Sequence, residues 1–140
     1  MKKSIYFLFI LSISFKSYSQ INPDNIEIIR DDFGVPHIYA DTDSEVAYGY
    51  AWAQAEDHFK LIQEAYLAGN GMLGKRIGLK AAGADFLTQL IESKETVDKL
   101  FGTLDPDFVK IIEAYSQGLN KYAETHPDEI LEKKLFPITP

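Results

Sequence analysis

The spacing of apolar positions along this chain changes twice, and each change marks an element. Residues 26–31 and 35–39 are short apolar runs separated by Asp31-Asp32-Phe33-Gly34. The runs suit strands. The tetrapeptide suits a turn, because Asp bonds to its own backbone and Gly34 tolerates positive φ. Pro36 stands near the start of the second run, where a missing N–H costs least. This pattern predicts a β-hairpin.

From residue 42 the period lengthens to that of a helix. Thr42-Asp43-Ser44-Glu45 forms a capping box, in which hydroxyl and carboxylate satisfy the free backbone donors of the first turn. Tyr48, Trp52, Ala55, Phe59, Ile62 and Tyr66 follow at steps of four and three, which places them on one face. Gly49, Ala51, Ala53 and Ala55 are small, so another element can approach closely. Gly69-Asn70-Gly71 reads as the C-cap. Residues 71–83, with Gly71, Gly74, Gly78 and Gly83, read as a loop or a broken short helix. A further helix is expected over 84–101, with Phe86, Leu87, Leu90, Val97, Leu100 and Phe101 as its apolar side. Asp105-Pro106 starts the last helix. Phe108, Ile112, Tyr115, Leu119 and Tyr122 form its buried face, and His126-Pro127 ends it. The closing residues 135–140 read as extended, with Leu135, Phe136 and Ile138 exposed, as in a chain cut rather than ended. A two-stranded hairpin is marginal by itself and cannot cover both helical stripes. Part of that apolar surface is expected to meet further polypeptide.

The first residues carry a different signal. Lys2 and Lys3 precede an apolar run over 5–15, and Ser17-Tyr18-Ser19 offers small residues before Gln20. That is the layout of a secretory signal peptide. A membrane span needs about 20 apolar residues, and Lys16 closes this run too early. The expected organisation is a signal peptide over 1–19 and one segment over 20–140, exported to the periplasm or the medium and free of the membrane once cleaved. Loss of the leader removes Lys2, Lys3 and Lys16 and no acid, so the formal charge moves from −7 to −10. So acidic a chain is unsuited to nucleic acid, whose phosphates reward basic patches. The absence of cysteine excludes disulfides, zinc–thiolate sites and a cysteine nucleophile. The segment must hold together by packing alone.

Chemical constellations are few. The histidines, His37, His58 and His126, are too scattered for a zinc motif. His37 with Asp31 and Ser44 is the sequence-near trio for a serine triad, but no Gly-x-Ser-x-Gly elbow accompanies it. His37 is expected instead beside the hairpin with a satisfied ring nitrogen. Glu56-Asp57 lacks the Asp-rich loop of a calcium hand. Neighbouring helical residues point about 100° apart, so one of the two acids is expected to pair with Arg30 where helix crosses hairpin. Trp52 and the tyrosines at helical spacing read as core. The glycine-rich stretch holds no phosphate-cradling motif.

Two blocks carry a resemblance. Arg30-Asp31-x-Phe33-Gly34-Val35-Pro36-His37-Ile38-x-Ala40 and Gly49-Tyr50-Ala51-x-Ala53-Gln54-Ala55-Glu56-Asp57 are similar to the opening of the α-chain in the penicillin acylase family. Gly69-x-Gly71 and Gly78 resemble the family's glycines, and Ala55-Glu56-Asp57 and Ala84-Asp85-Phe86 resemble the branch that includes acyl-homoserine-lactone and aculeacin-type acylases. The similarity runs from about Ile26 to Pro140. It implies an α+β chain that forms part of a four-layer αββα N-terminal-nucleophile hydrolase, incomplete here. The nucleophile in that family is the N-terminal serine of a β-chain, with its own α-amine as base. The resemblance places the acyl pocket and a structural calcium site beyond the segment equivalent to Pro140. No catalytic, cofactor-binding or metal-binding residue is therefore assigned in this chain. The implied partners are the remainder of the α-chain, the β-chain of the same precursor, and an acylated small molecule or peptide as substrate. The alternative is a stand-alone secreted binding module derived from an acylase front end.

Overall fold

The computed structural model describes residues 20–140, and the expected leader over 1–19 lies outside them. The hairpin forms where the pattern changes. Strands β1 (Glu27–Arg30) and β2 (Pro36–Tyr39) pair antiparallel, with Ile28 opposite Ile38 and Ile29 opposite His37. Gly34 takes φ 81° in the turn, a conformation that side chains resist.

Helix α1 (Asp43–Gly69) starts with the predicted capping box: Thr42 Oγ1 accepts from Glu45 N–H at 3.3 Å, and Glu45 Oε2 accepts from Thr42 N–H at 3.0 Å. Its Gly49 lies under the sheet, where a Cβ would come within 2.9 Å of the Cγ2 atoms of Ile26 and Ile38. The helix leaves helical dihedrals at His58 (φ −144°, ψ 32°) and resumes. Gly71 (φ 62°) follows its end.

The glycine-rich stretch contains α2 (Gly74–Ile77) and a 3-10 turn (Gly78–Ala81). The single helix expected over 84–101 is two helices, α3 (Ala82–Leu90) and α4 (Ser93–Leu100). Glu92 between them takes φ 51°. A left-handed residue turns the backbone out of the i→i+4 ladder, so the ladder must restart. The expected apolar side is also not buried. Phe86, Leu87, Leu90, Val97 and Leu100 are exposed, and Phe101 is half-buried.

Helix α5 (Pro106–Thr125) begins with Asp105 accepting from the N–H groups of Asp107 and Phe108. It packs along α1, and Ala51, Ala55, Phe59, Leu119, Tyr122 and Ala123 form a common core. The two stripes thus pack against each other. Phe108 is the exception, 51% exposed at the start of α5.

The C-terminal stretch reverses another expectation. Ile138 is buried, and Leu135 and Phe136 pack half-buried against the α1–α5 core. Two amides hold this stretch down. Gln63, fully buried on α1, donates to the Glu129 carbonyl at 3.0 Å and accepts from Leu131 N–H at 2.8 Å. Asn120 on α5 donates to the Ile138 carbonyl at 2.8 Å and accepts from Ile138 N–H at 2.7 Å. Each amide replaces the hydrogen bonds that an extended strand would seek in a sheet.

Candidate functional site

The conspicuous polar assembly lies where β1 crosses α1. Arg30, the last residue of β1, extends its guanidinium between the turn and the helix. Nη1 donates to the Gly34 carbonyl at 2.8 Å and to Asp57 Oδ2 at 3.2 Å. Nη2 donates to Glu56 Oε2 at 3.0 Å and to the Ala53 carbonyl at 3.4 Å. Trp52 Nε1 donates to the other Glu56 oxygen at 2.9 Å. Both adjacent acids therefore meet Arg30, where one was expected. A planar guanidinium presents separate nitrogens to two carboxylates, and Glu56 reaches further than Asp57 by one methylene. Glu56 and then Asp57 raise the Arg30 pKa through their hydrogen bonds. This cluster is a joint. Its one cation is shared by two carboxylates.

Asp31 and His37 stand beside it. His37 Nε2 lies 3.2 Å from Asp31 Oδ2, while Asp31 Oδ1 accepts from Phe33 N–H and Val35 N–H, each at 2.9 Å. Ser44, the third member of the sequence-near trio, sits in the first turn of α1. Among the described residues it makes no hydrogen bond to either. The pair thus serves the turn, with the satisfied ring nitrogen that the sequence suggests for His37. The N–H of Val35 first, and then His37, hold Asp31 below its ordinary value of 3.8. A lowered folded pKa adds stability above the ordinary value, and that contribution is lost as pH falls through the lowered one. Amide protection at Phe33 and Val35 should therefore weaken as the pH drops below 3.8. Asp31→Ala should show the weakened protection at neutral pH. Protection in the parent that persists at about pH 2 would mean that Asp31 does not close the turn.

His126 stacks on Tyr122 (ring centroids 4.0 Å) and meets Trp52 edge-on, and Phe59 packs against Tyr122 at 4.9 Å. Trp52 thus packs half-buried against the core, on the side that its spacing predicts. Tyr115 Oη donates to Gln54 Oε1 at 2.7 Å, and burial pushes its pKa up to about 12. Among the described residues, no group of three or more His, Cys, Asp or Glu could hold a metal ion. Glu56 and Asp57, adjacent on α1, share the one cation of Arg30.

Sequence reasoning missed three anchors. Gln63 lies four residues after Phe59 and four before Leu67, both buried, and a polar residue in that register is the signal that was available. Asn120, beside buried Leu119, gives the same hint more weakly. Asp85 was read as part of a family motif and not as a contact. Its two oxygens accept from Leu73 N–H at 2.8 Å and Gly74 N–H at 2.7 Å, closing the glycine-rich stretch onto α3.

The hairpin, joint and paired helices can be compared with known proteins. The penicillin amidase model matches residues 25–140. The chain belongs to the penicillin amidase family. Penicillin G acylase of Escherichia coli is 25% identical over 132 residues, covering 91% of this chain and 16% of that protein. Acyl-homoserine lactone acylase PvdQ of Pseudomonas fluorescens (strain Pf0-1) is 24% identical over 120 residues, covering 80% of this chain and 15% of that protein. In three dimensions the chain is similar to the thermostable penicillin G acylase of Alcaligenes faecalis, with TM-score 0.66 and 25% identity over 79% of this chain and 60% of that one. This member of the penicillin amidase family thus spans about one-sixth of the length of the curated relatives it matches. The Arg30 joint ties the block over residues 30–40 to the block over residues 49–57.

Proposed function

We propose that this chain is the front of the α-chain of an exported amidohydrolase that cleaves the amide between an acyl chain and an amine-bearing core. The observation that supports this reading most is the family match, which runs through residues 25–140 yet reaches only 16% of the E. coli relative. On this reading the described residues are scaffold. The nucleophile is a serine at the start of a β-chain encoded further along the same precursor. Its α-amine, with a reference pKa of about 7.7–8.0, serves as a base near neutral pH. Backbone and side-chain donors stabilise the oxyanion. The relatives' names give two substrate classes to test, a β-lactam and a homoserine lactone, and an acylated peptide is the third. Residues 1–19 act as the export signal, so the exported form begins at Gln20.

The test is an assay of the product of the longer reading frame against phenylacetyl and long-chain acyl amides. The 140-residue chain is assayed beside it. Turnover is expected from the processed precursor, with Gln20 as its first residue by mass spectrometry, and none from the short chain. Turnover by the short chain that disappears in His37→Ala would overturn the scaffold reading. A reading frame that stops after Pro140 would favour the stand-alone binding module.

A further inference from the structure

The chain is anchored one residue past the junction with the expected leader. Ile21 N–H donates to Gln117 Oε1 on α5 at 3.1 Å, a bond that spans 96 positions. Asn22 Oδ1 then accepts from Asp24 N–H at 3.2 Å, and a 3-10 turn over Pro23–Asn25 carries the chain toward β1. Asn25 Nδ2 donates to Glu45 Oε1 on α1 at 3.3 Å. Ile21 is half-buried, whereas Gln20 is exposed. Among the described residues no hydrogen bond ties the Gln20 side-chain amide.

Removal of residues 1–19 frees the α-amine of Gln20. That nitrogen closes a five-membered ring with Cα, Cβ, Cγ and Cδ of the same residue, so nucleophile and carbonyl are held together by the residue itself. An exposed, untied side chain can turn back onto the amine without breaking a contact. The bond that forms joins the amine nitrogen to Cδ. The bond that breaks joins Cδ to the amide nitrogen, which leaves as ammonia with the proton that the amine gives up. No other reactant is consumed. The Gln20 carbonyl and the Ile21 N–H take no part, so the bond to Gln117 persists in the product. A cut one residue earlier or later would leave Ser19 or Ile21 in first place, and neither carries a side-chain amide.

We propose that Gln20 is a modification site, which cyclises to pyroglutamate once the leader is removed and so seals an end that the fold uses. This rests on the reading that residues 1–19 are an export signal. The consequence is resistance to trimming. An aminopeptidase needs a free α-amine. Acting on an open Gln20, it removes Gln20 and Ile21 and stops at Asn22-Pro23, whose tertiary amide resists such enzymes. Loss of Ile21 takes with it the tie to α5.

The longer reading frame is expressed with its leader in its own host. The exported protein is treated at once with an amine-reactive reagent and then digested with trypsin. Residues 20–30 hold no lysine or arginine before Arg30, so the end is read as one peptide. That peptide is expected to be unlabelled and lighter by one ammonia. A labelled peptide that begins at Gln20 would overturn the proposal and leave the leader reading standing. A peptide that begins at another residue, or that retains residues 1–19, would overturn the leader reading and the proposal with it. The variant Gln20→Ala cannot close the ring. It should carry the label and lose residues 20 and 21 to an added aminopeptidase, while the parent keeps its end. Equal trimming of parent and variant would overturn the protective role.

Discussion

Gly118→Val should destabilise the folded chain by about 3 kcal/mol or more, with Gly118→Ala losing about 1–3 kcal/mol. Gly118 is buried on α5 against α1. A Cβ there would strike the backbone carbonyl of Tyr48 and come within 2.9 Å of the Ala51 Cβ. Neither neighbour is the flexible end of a side chain, so the two helices must move apart as bodies. Separation would unpack Ala55, Phe59, Leu119 and Tyr122 together, since they form one cluster. A domain is stable by only about 5–15 kcal/mol, so the valine variant should unfold at low urea or fail to accumulate. Urea unfolding followed by tryptophan fluorescence is a direct test, because Trp52 packs edge-on against Tyr122 in this cluster. A valine variant with the parent's midpoint would show that the helices do not pack as closely as described.

Gln63→Leu should cost about 2–4 kcal/mol even though it adds apolar surface to a fully buried position. The leucine is close to glutamine in volume, so packing changes little. The loss comes from the backbone of the C-terminal stretch, where the Glu129 carbonyl and the Leu131 N–H both lose their amide partner. A buried polar group left unpaired costs more than the pair contributes when made. Release of this stretch would also uncover Ile130, Leu135 and Phe136, which pack against the core from it. The expected signature is faster amide exchange at Leu131 together with a lower urea midpoint. Gln63→Glu should do worse, because it loses the donor and buries a charge. A leucine variant with unchanged exchange at Leu131 would show that the stretch is held by its apolar side chains alone.

The two variants separate what local pattern specifies from what it does not. Local chemistry carried the hairpin, the capping box at Thr42, the Gly71 terminus of α1 and the Asp105-Pro106 start of α5. These features depend on residues within a few positions of one another, and their backbone preferences act before any tertiary contact forms. The two stripes were legible as faces for the same reason, since a 3.6-residue period needs no partner to be seen. The blocks around Arg30 and Ala53 likewise carried the family.

The partners of those faces were decided by the tertiary structure. Periodicity shows that a face is apolar and says nothing of what covers it. The α1 and α5 stripes therefore proved to pack against each other, while the apolar residues of α3 and α4 stayed exposed. The break at Glu92 escaped notice because glutamate has no preference for positive φ that a sequence could display. Leu135, Phe136 and Ile138 looked exposed because their anchors, Gln63 and Asn120, are far along the chain from the backbone that they hold. Arg30 was matched to an acid of the next block from sequence, but the geometry of its guanidinium, engaging both Glu56 and Asp57, required the crossing of β1 over α1. Short-range hydrogen bonding and side-chain period are written in the order of residues. The pairing of surfaces depends on which distant residues the folded chain brings within reach, and for this protein only the three-dimensional structure supplied that.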